Sequence, residues 1–386
     1  MRLRDGLAGR LQDWGQIAFH PNPQLDLQFN RYCTSTLMIE TLHEVAGEVA
    51  NVDDWHREML ALADQAGAAG DSFAVQNLAE AAQFFLPPDV DRRAYESRMQ
   101  EAWRQSWADA SIEIGSVDYQ GAALRVQRFP AKASKGTILM HGGFDGYYEQ
   151  ITTIAAALQD NGHEVLLFEG PGQGLVLDSL PMTHEWERPV AAVLDAYNVE
   201  SCTILGMSLG GYLAQRAAAF EPRITRLVCW DVMYDALDAV FHNADLTALV
   251  RSSDDGLKRA AASLDQQAGA NPNITFILRQ GYRVMASTTT EDFLRKSSRF
   301  TTAGISDKIT QDALILAGQK DHYVPLEHLW KQLPLLVNAR SVTARIFTER
   351  EHNAAAAHCN VGNHVMAMQV IVDWLDQCTE IDGIKV

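Results

Sequence analysis

The sequence has no Cys-x-x-Cys pair: its five cysteines, Cys33, Cys202, Cys229, Cys359 and Cys378, are odd in number and widely scattered. That spacing argues against a disulfide framework, a zinc site or a dithiol couple, and predicts free thiols in a reducing compartment. No window approaches the roughly 20 consecutive apolar residues of a membrane helix. The first ten residues carry arginines but no apolar stretch suited to a signal peptide. A cytoplasmic protein without membrane contact is therefore expected. Basic residues are in deficit, with 32 Lys and Arg against 49 Asp and Glu, for a net charge of −17. Such a surface repels polyanions, so neither nucleic acid nor anionic lipid is an expected partner. Internal repeats and low-complexity segments are absent as well.

What is present is the balance of a globular protein, 47% hydrophobic and 21% charged, which excludes disorder. The length of 386 residues exceeds an average domain and suits one large core with an appended region. Up to about Ser111 the apolar residues keep helical spacing, with almost no strand signal. The stretches are Phe29 to Val52, Trp55 to Ala68, Phe73 to Phe85 before the break at Pro87-Pro88, and about Arg92 to Trp107. An N-terminal helical region over residues 1–111 follows, either a small domain or a lid on what comes next, where it would wall a pocket.

Short β-type runs begin at Ile112. Ile112 to Tyr119 and Ala122 to Phe129 read as strands paired through Gln120-Gly121, and further strands are predicted at Gly136 to Met140, His163 to Phe168, Cys202 to Gly206, Ile224 to Asp231, Ala313 to Gly318 and Ser341 to Phe347. Helical stretches from Glu149, Leu209, Leu326 and Asn363 alternate with them. This predicts an α/β class protein over residues 112–386, with a mostly parallel sheet and helices on both faces. Between about 233 and 310 the alternation stops, and a helical texture with polar interruptions predicts an inserted helical cap.

Gly206-Met207-Ser208-Leu209-Gly210 joins a strand to a helix. Here a serine takes a strained turn, and the flanking glycines leave room for the strand to cross the helix. A serine hydroxyl attacks a carbonyl only when an imidazole takes its proton and a carboxylate orients that imidazole. In α/β-hydrolases the order along the chain is serine, acid, histidine. Asp321, just beyond a buried strand, is the acid candidate, with Asp231 a lesser one. His352 and His358 both stand in the loop after the last strand, and His358 is preferred because its segment leads directly into the last helix. The oxyanion would take amides from Leu209 and from Gly143 or Phe144, in the glycine-rich loop His141 to Gly146. That loop matches neither Gly-x-Gly-x-x-Gly nor a Walker spacing, which argues against a phosphate cradle. Glu169, opening the turn Glu169-Gly170-Pro171-Gly172-Gln173-Gly174, and Tyr234 are candidate substrate contacts. Trp186 and Tyr282 are further candidates for the cavity wall.

These motifs taken together, with Gly143-Phe144-Asp145-Gly146, Trp186-Glu187, Gly211 after the serine turn, His358-Cys359 and Asp373-Trp374-Leu375, resemble the 2,6-dihydroxypseudooxynicotine hydrolase group. That group includes fungal polyketide-shortening hydrolases of the yellowish-green type. The resemblance implies an α/β-hydrolase fold and cleavage of a carbon–carbon bond next to a ketone in an aromatic or polyketide-like small molecule. It also implies Ser208, Asp321 and His358 as nucleophile, acid and base, with no metal or cofactor. An acidic cap residue that holds substrate is implied too, for which Glu291 and Asp292 are candidates. Ester or lactone cleavage on the same scaffold is the alternative activity, and a noncatalytic small-ligand module the alternative class. The apolar faces of the N-terminal helices are expected to cover the core or to make a homodimer contact.

Overall fold

The computed structural model describes residues 1, 9–351 and 356–383. Five helices precede the sheet: α1 (Pro23–Tyr32), α2 (Ile39–Glu48), α3 (Val52–Ala68), α4 (Ser72–Gln83) and α5 (Arg93–Ser106). The single helical stretch expected from Phe29 to Val52 is divided. Asn22 caps α1 by accepting from the Gln24 amide, with Pro23 in the first turn, the place where a missing N–H is no loss. The chain then leaves the helix at Cys33, where Cys33, Thr34 and Ser35 are poor helix formers. Cys33 Sγ bonds the Ser35 carbonyl, and Ser35 is fully extended. Short polar side chains that bond nearby groups compete with the helical ladder in this way.

The sheet has eight strands: β1 (Glu113–Tyr119), β2 (Ala122–Phe129), β3 (Thr137–His141), β4 (Glu164–Phe168), β5 (Cys202–Met207), β6 (Ile224–Trp230), β7 (Asp312–Gly318) and β8 (Ser341–Phe347). Their order is β1-β2-β4-β3-β5-β6-β7-β8. β2 runs antiparallel to both β1 and β4, and every later pairing is parallel. The crossovers carry α6 (Tyr148–Asp160), α7 (Glu187–Ala196) and α8 (Gly210–Phe220), with α14 (Glu327–Gln332) between β7 and β8 and α15 (His364–Gly383) after β8.

Side chains along the central strands alternate between two cores, as the pleat requires. Cys202 and Ile204 of β5 and Ala313, Ile315 and Ala317 of β7 face one apolar layer with α7 and α8. Leu205, Met207, Leu314 and Leu316 face the other, with α6 and α15. Both faces are covered, so the strands read as nearly unbroken apolar runs.

Between β6 and β7 the chain forms α9 (Ala236–Phe241), α10 (Ala244–Ser252), α11 (Asp254–Ala268), α12 (Pro272–Met285) and α13 (Thr290–Ser297). Each begins at a side-chain cap, from Asp235, Asn243, Ser253, Asn271 and Thr289 in turn, which marks their starts in the sequence. The helices ahead of the sheet have a separate core around Phe29, Trp55 and Phe85. Phe276 of α12 packs on Phe84 and Phe85, with ring centroids 5.7 and 4.9 Å apart. The two helical groups thus meet above the carboxyl ends of the strands, where parallel sheets place their sites.

Candidate active site

Ser208 sits between β5 and α8 with φ of +62°, the left-handed region that β-carbon-bearing residues rarely adopt. The turn closes through Ser208 N–H donating to the Trp230 carbonyl at 2.9 Å, and Gly211 N–H donating to the Ser208 carbonyl at 2.8 Å. Gly206 has no alternative here: a β-carbon on it would lie 2.0 Å from the Gly210 carbonyl oxygen. Asp145, Asp231, Cys359 and Asn360 also have positive φ. Conformations of this kind cost about 1–3 kcal/mol each, and they gather around one site.

His358 lies in the loop after β8. Ser208 Oγ stands 2.8 Å from its Nε2, and its Nδ1–H donates to Asp321 Oδ2 at 2.7 Å. The other Asp321 oxygen accepts from the amides of Tyr323 and Val324, each at 2.8 Å. Burial alone would push this carboxyl up, but the charge and hydrogen bond of His358 and the two amides hold it below the usual range. Burial likewise disfavours the imidazolium, yet the Asp321 carboxylate outweighs it, and His358 is raised well above its ordinary value. Asp231, at the end of β6, offers a second carboxylate. Its Oδ2 lies 3.1 Å from the same Nδ1 and accepts from the Cys359 amide at 2.8 Å. Burial, and then the like charge of Asp321, push Asp231 up to about 7.

The loop after β3 comes against the serine turn. A β-carbon on Gly143 would lie 2.8 Å from the Leu209 amide nitrogen and 2.9 Å from the Ser208 β-carbon, so only glycine permits the approach. Among the described residues the amides of Gly143, Phe144 and Leu209 have no hydrogen-bond acceptor. Gln173 holds the loop in place: its Nε2 donates to the Gly142 and Gly143 carbonyls at 2.9 and 2.8 Å, and its Oε1 accepts from the Gly170 amide at 3.0 Å. Ser208 and His358 open on a cavity of about 280 Å³, walled also by Gly143, Phe144 and Leu209. Leu27, Phe73 and Phe84 line it from the helices ahead of the sheet, and Phe241, Phe276, Met285 and Phe293 from those between β6 and β7.

Several residues proposed from sequence do not reach this cavity. Glu169 is buried beneath it. Its carboxylate takes Arg125 at 2.9 Å and the amides of Tyr148 and Leu175 at 2.9 and 3.1 Å, so it braces the start of α6 and makes no wall. Trp186 is buried under Gly170, stacked on Phe168 at 5.8 Å. Tyr234 is held by α14 and the loop after α13, its amide donating to His328 Nδ1 at 3.1 Å and its carbonyl accepting from the Thr302 amide at 2.9 Å. The Tyr282 hydroxyl bonds Thr290. Glu291 and Asp292 lie on the surface, paired with Arg295 and Lys296. None of these six lines the cavity. His352 lies outside the described residues. Two contributors were not anticipated. One is Gln173, whose turn was singled out but for another side chain. The other is Tyr323, whose ring stands edge-on to His358 at 4.9 Å and whose hydroxyl donates to Gln24.

A doubly covered, mostly parallel sheet with a serine on the strained turn after β5 defines a class, and the chain belongs to it: residues 137–357 match the alpha/beta hydrolase family. Among curated relatives, hydrolase acrC of Aspergillus aculeatus is 32% identical over 216 residues, 47% of this chain and 50% of the relative. The 20-hydroxy-prefusarin hydrolase FUS2 of Gibberella moniliformis is 30% identical over 208 residues, covering 47% and 49%. The matched stretch thus spans about half the length of these relatives. The solved structure of 2,6-dihydroxy-pseudo-oxynicotine hydrolase superposes with a TM-score of 0.63 at 20% identity, covering 90% of this chain and 94% of that one. AbyA5 superposes at 0.68 and 18% identity, covering 94% and 95%. Coverage of this extent takes in the helices ahead of the sheet, so the likeness of fold reaches beyond the family match. No helix among the described residues is long and apolar enough to cross a membrane.

Proposed function

We propose that this enzyme is a serine hydrolase that cleaves a carbon–carbon bond next to a ketone in an aromatic or polyketide-like small molecule. The observation that carries the reading is the hydrogen-bonded array Ser208–His358–Asp321 opening on a largely apolar cavity. His358 Nε2 takes the Ser208 proton as Oγ attacks the ketone carbon. The oxyanion is held by the amide of Leu209 with that of Gly143 or Phe144. On collapse the carbon–carbon bond breaks, its electron pair leaves with the departing carbon, and His358 returns the proton to that carbon. An acyl-serine remains. Water, its proton taken by His358, then releases the acid and restores Ser208. The departing carbon must bear a carbonyl or an aromatic ring that spreads the charge. The resemblance of the motifs supports this choice of bond.

Turnover of an aryl-substituted β-diketone, compared with a simple aryl ester of similar size, tests the bond type. The diketone is expected to be cleaved to a ketone and an acid. Efficient ester turnover with an untouched diketone would assign ester or lactone hydrolysis instead. The pH profile gives a further expectation. The reaction needs neutral His358, whose value the Asp321 carboxylate raises above the usual one. For an uncharged substrate the rise of kcat/KM with pH is therefore expected to have its midpoint above the ordinary histidine value of about 6.5. A midpoint at or below that value would contradict the raised imidazole.

A further inference from the structure

One side of the cavity is polar, although its other walls are apolar. Arg31 of α1 stands there with Asp145, Gln150 and Gln280. A small recess shares Arg31, Phe84, Asp145 and Gln280 with the main cavity and adds Glu80, Gln83, Arg92 and Arg283. The three guanidinium groups are not equivalent. Arg92 donates to the carbonyls of Leu86, Pro87 and Val90, and Arg283 faces Asp178 at 3.7 Å. Arg31 likewise faces a carboxyl, Glu80, at 3.6 Å, but of the three it alone lines the main cavity. Its five N–H groups find, among the described residues, only the Gln150 carbonyl oxygen at 2.5 Å and that of Gln28 at a long 3.5 Å. Its guanidinium is flanked by the rings of Tyr32 and Phe84 at 5.3 and 5.2 Å.

The nearest carboxyl, Glu80, is 3.6 Å away, and burial pushes it up to about 8, so at neutral pH it is mostly uncharged. Burial pushes Asp145 up, against the opposing pull of Arg31, Arg283 and Arg92 and a hydrogen bond from Gln280. Polar atoms also stand unused here: Glu80 Oε2, Gln83 Nε2 and Gln150 Nε2 are buried without a partner, and the Glu80 and Gln83 side chains are more than nine-tenths buried. A half-buried guanidinium at a cavity wall, with N–H groups that no protein acceptor uses, gains from an acceptor on a bound ligand. A planar fork beside unused amide donors best fits a planar pair of anionic oxygens.

Resting on the hydrolase reading for the same cavity, we propose that Arg31 is a specificity-determining residue, which docks a carboxylate or similarly delocalised oxygen anion on a substrate whose body is apolar. The cap helices α9–α13 place no acidic side chain on the cavity wall among the described residues. Recognition through a cap carboxylate, which the resemblance suggested, is thus replaced here by recognition of the opposite sign, from the helices ahead of the sheet.

The test is calorimetric binding of 4-phenylbutyrate against its primary amide, 4-phenylbutyramide, to the full chain at pH 7.5. The two probes share shape and differ in charge. The carboxylate is expected to bind about ten-fold more tightly or better. Arg31→Gln is expected to bring the ratio to within about three-fold, and Arg31→Lys, which keeps the charge and loses the fork, to fall between them. Equal binding of the two probes to the unaltered protein would overturn the proposal. So would a ratio unchanged in Arg31→Gln, which would leave Arg31 as a strut between α1 and α6. Should Arg31→Gln fail to fold, the unaltered protein and Arg31→Lys decide the matter. Neither probe reports on Ser208 chemistry, so a failure here leaves the hydrolase reading standing, and a protein without hydrolytic turnover can still bear out the anion site.

Discussion

Replacement of Ser208 by alanine is expected to lower kcat on any cleaved substrate by about 10⁴- to 10⁶-fold and to abolish covalent labelling by a fluorophosphonate probe. On the proposed mechanism the serine hydroxyl forms the acyl bond, and among the described residues it is the group hydrogen-bonded to His358 Nε2, at 2.8 Å. The loss should fall on kcat with KM little changed, because the hydroxyl makes its decisive bond only as the carbonyl is attacked. The turn itself should survive. Its closing bonds are made by the backbone of residue 208, and alanine meets the same positive φ as serine. Equal labelling of the alanine variant, or activity within about ten-fold of the parent, would remove Ser208 from the mechanism and the serine hydrolase reading with it.

The second large effect concerns the two carboxylates that share His358 Nδ1. Asp321→Ala alone is expected to cost about 10²-fold in kcat, less than the roughly 10⁴-fold usual for an orienting carboxylate changed to its amide. Asp231 is 3.1 Å from the same nitrogen, and part of what raises its pKa to about 7 is the charge of Asp321. Removing that charge lowers the Asp231 value, so at neutral pH the remaining carboxyl ionises and takes over the Nδ1–H. Asp231→Asn by itself should be nearly silent, within about three-fold, since Asp321 already holds the proton donor. The double variant should lose about 10⁴-fold, well beyond the product of the single losses. A double variant equal to that product would make Asp231 a backbone support for Cys359 and no reserve acid.

These expectations rest on a fold that the sequence announced unevenly. The parallel sheet was legible because strands buried on both faces leave nearly continuous apolar runs, as in Ala313 to Gly318, and because glycines flank the serine turn. The order of Ser208, Asp321 and His358 along the chain was enough to nominate them, and they meet because β5, β7 and β8 are neighbours or nearly so in the sheet. What stayed hidden depends on direction and on distant partners. Glu169 follows β4 as a pocket residue would, but its side chain turns inward to Arg125, which no spacing discloses. Gln24 meets Tyr323, and Arg31 meets Gln150, across 299 and 119 positions of chain. The break at Cys33 to Ser35 lay in plain view as a run of poor helix formers, yet the apolar periodicity on either side masked it.

The histidine loop also leans on residues made long before it. Gln12 Oε1 accepts from the Gly362 amide at 2.7 Å, 350 positions away. Gly15 N–H donates to the Gly362 carbonyl at 2.8 Å, and Val365 N–H to the Gln12 carbonyl at 3.2 Å. At ribosomal speeds of about 5–20 residues per second, the later partners emerge roughly 20–70 s after the earlier ones. During that interval the nascent chain can carry these backing residues, the serine turn and the oxyanion loop while the histidine is not yet made, so the Ser208–His358–Asp321 array is completed last, when the final loop docks on Gln12 and Gly15.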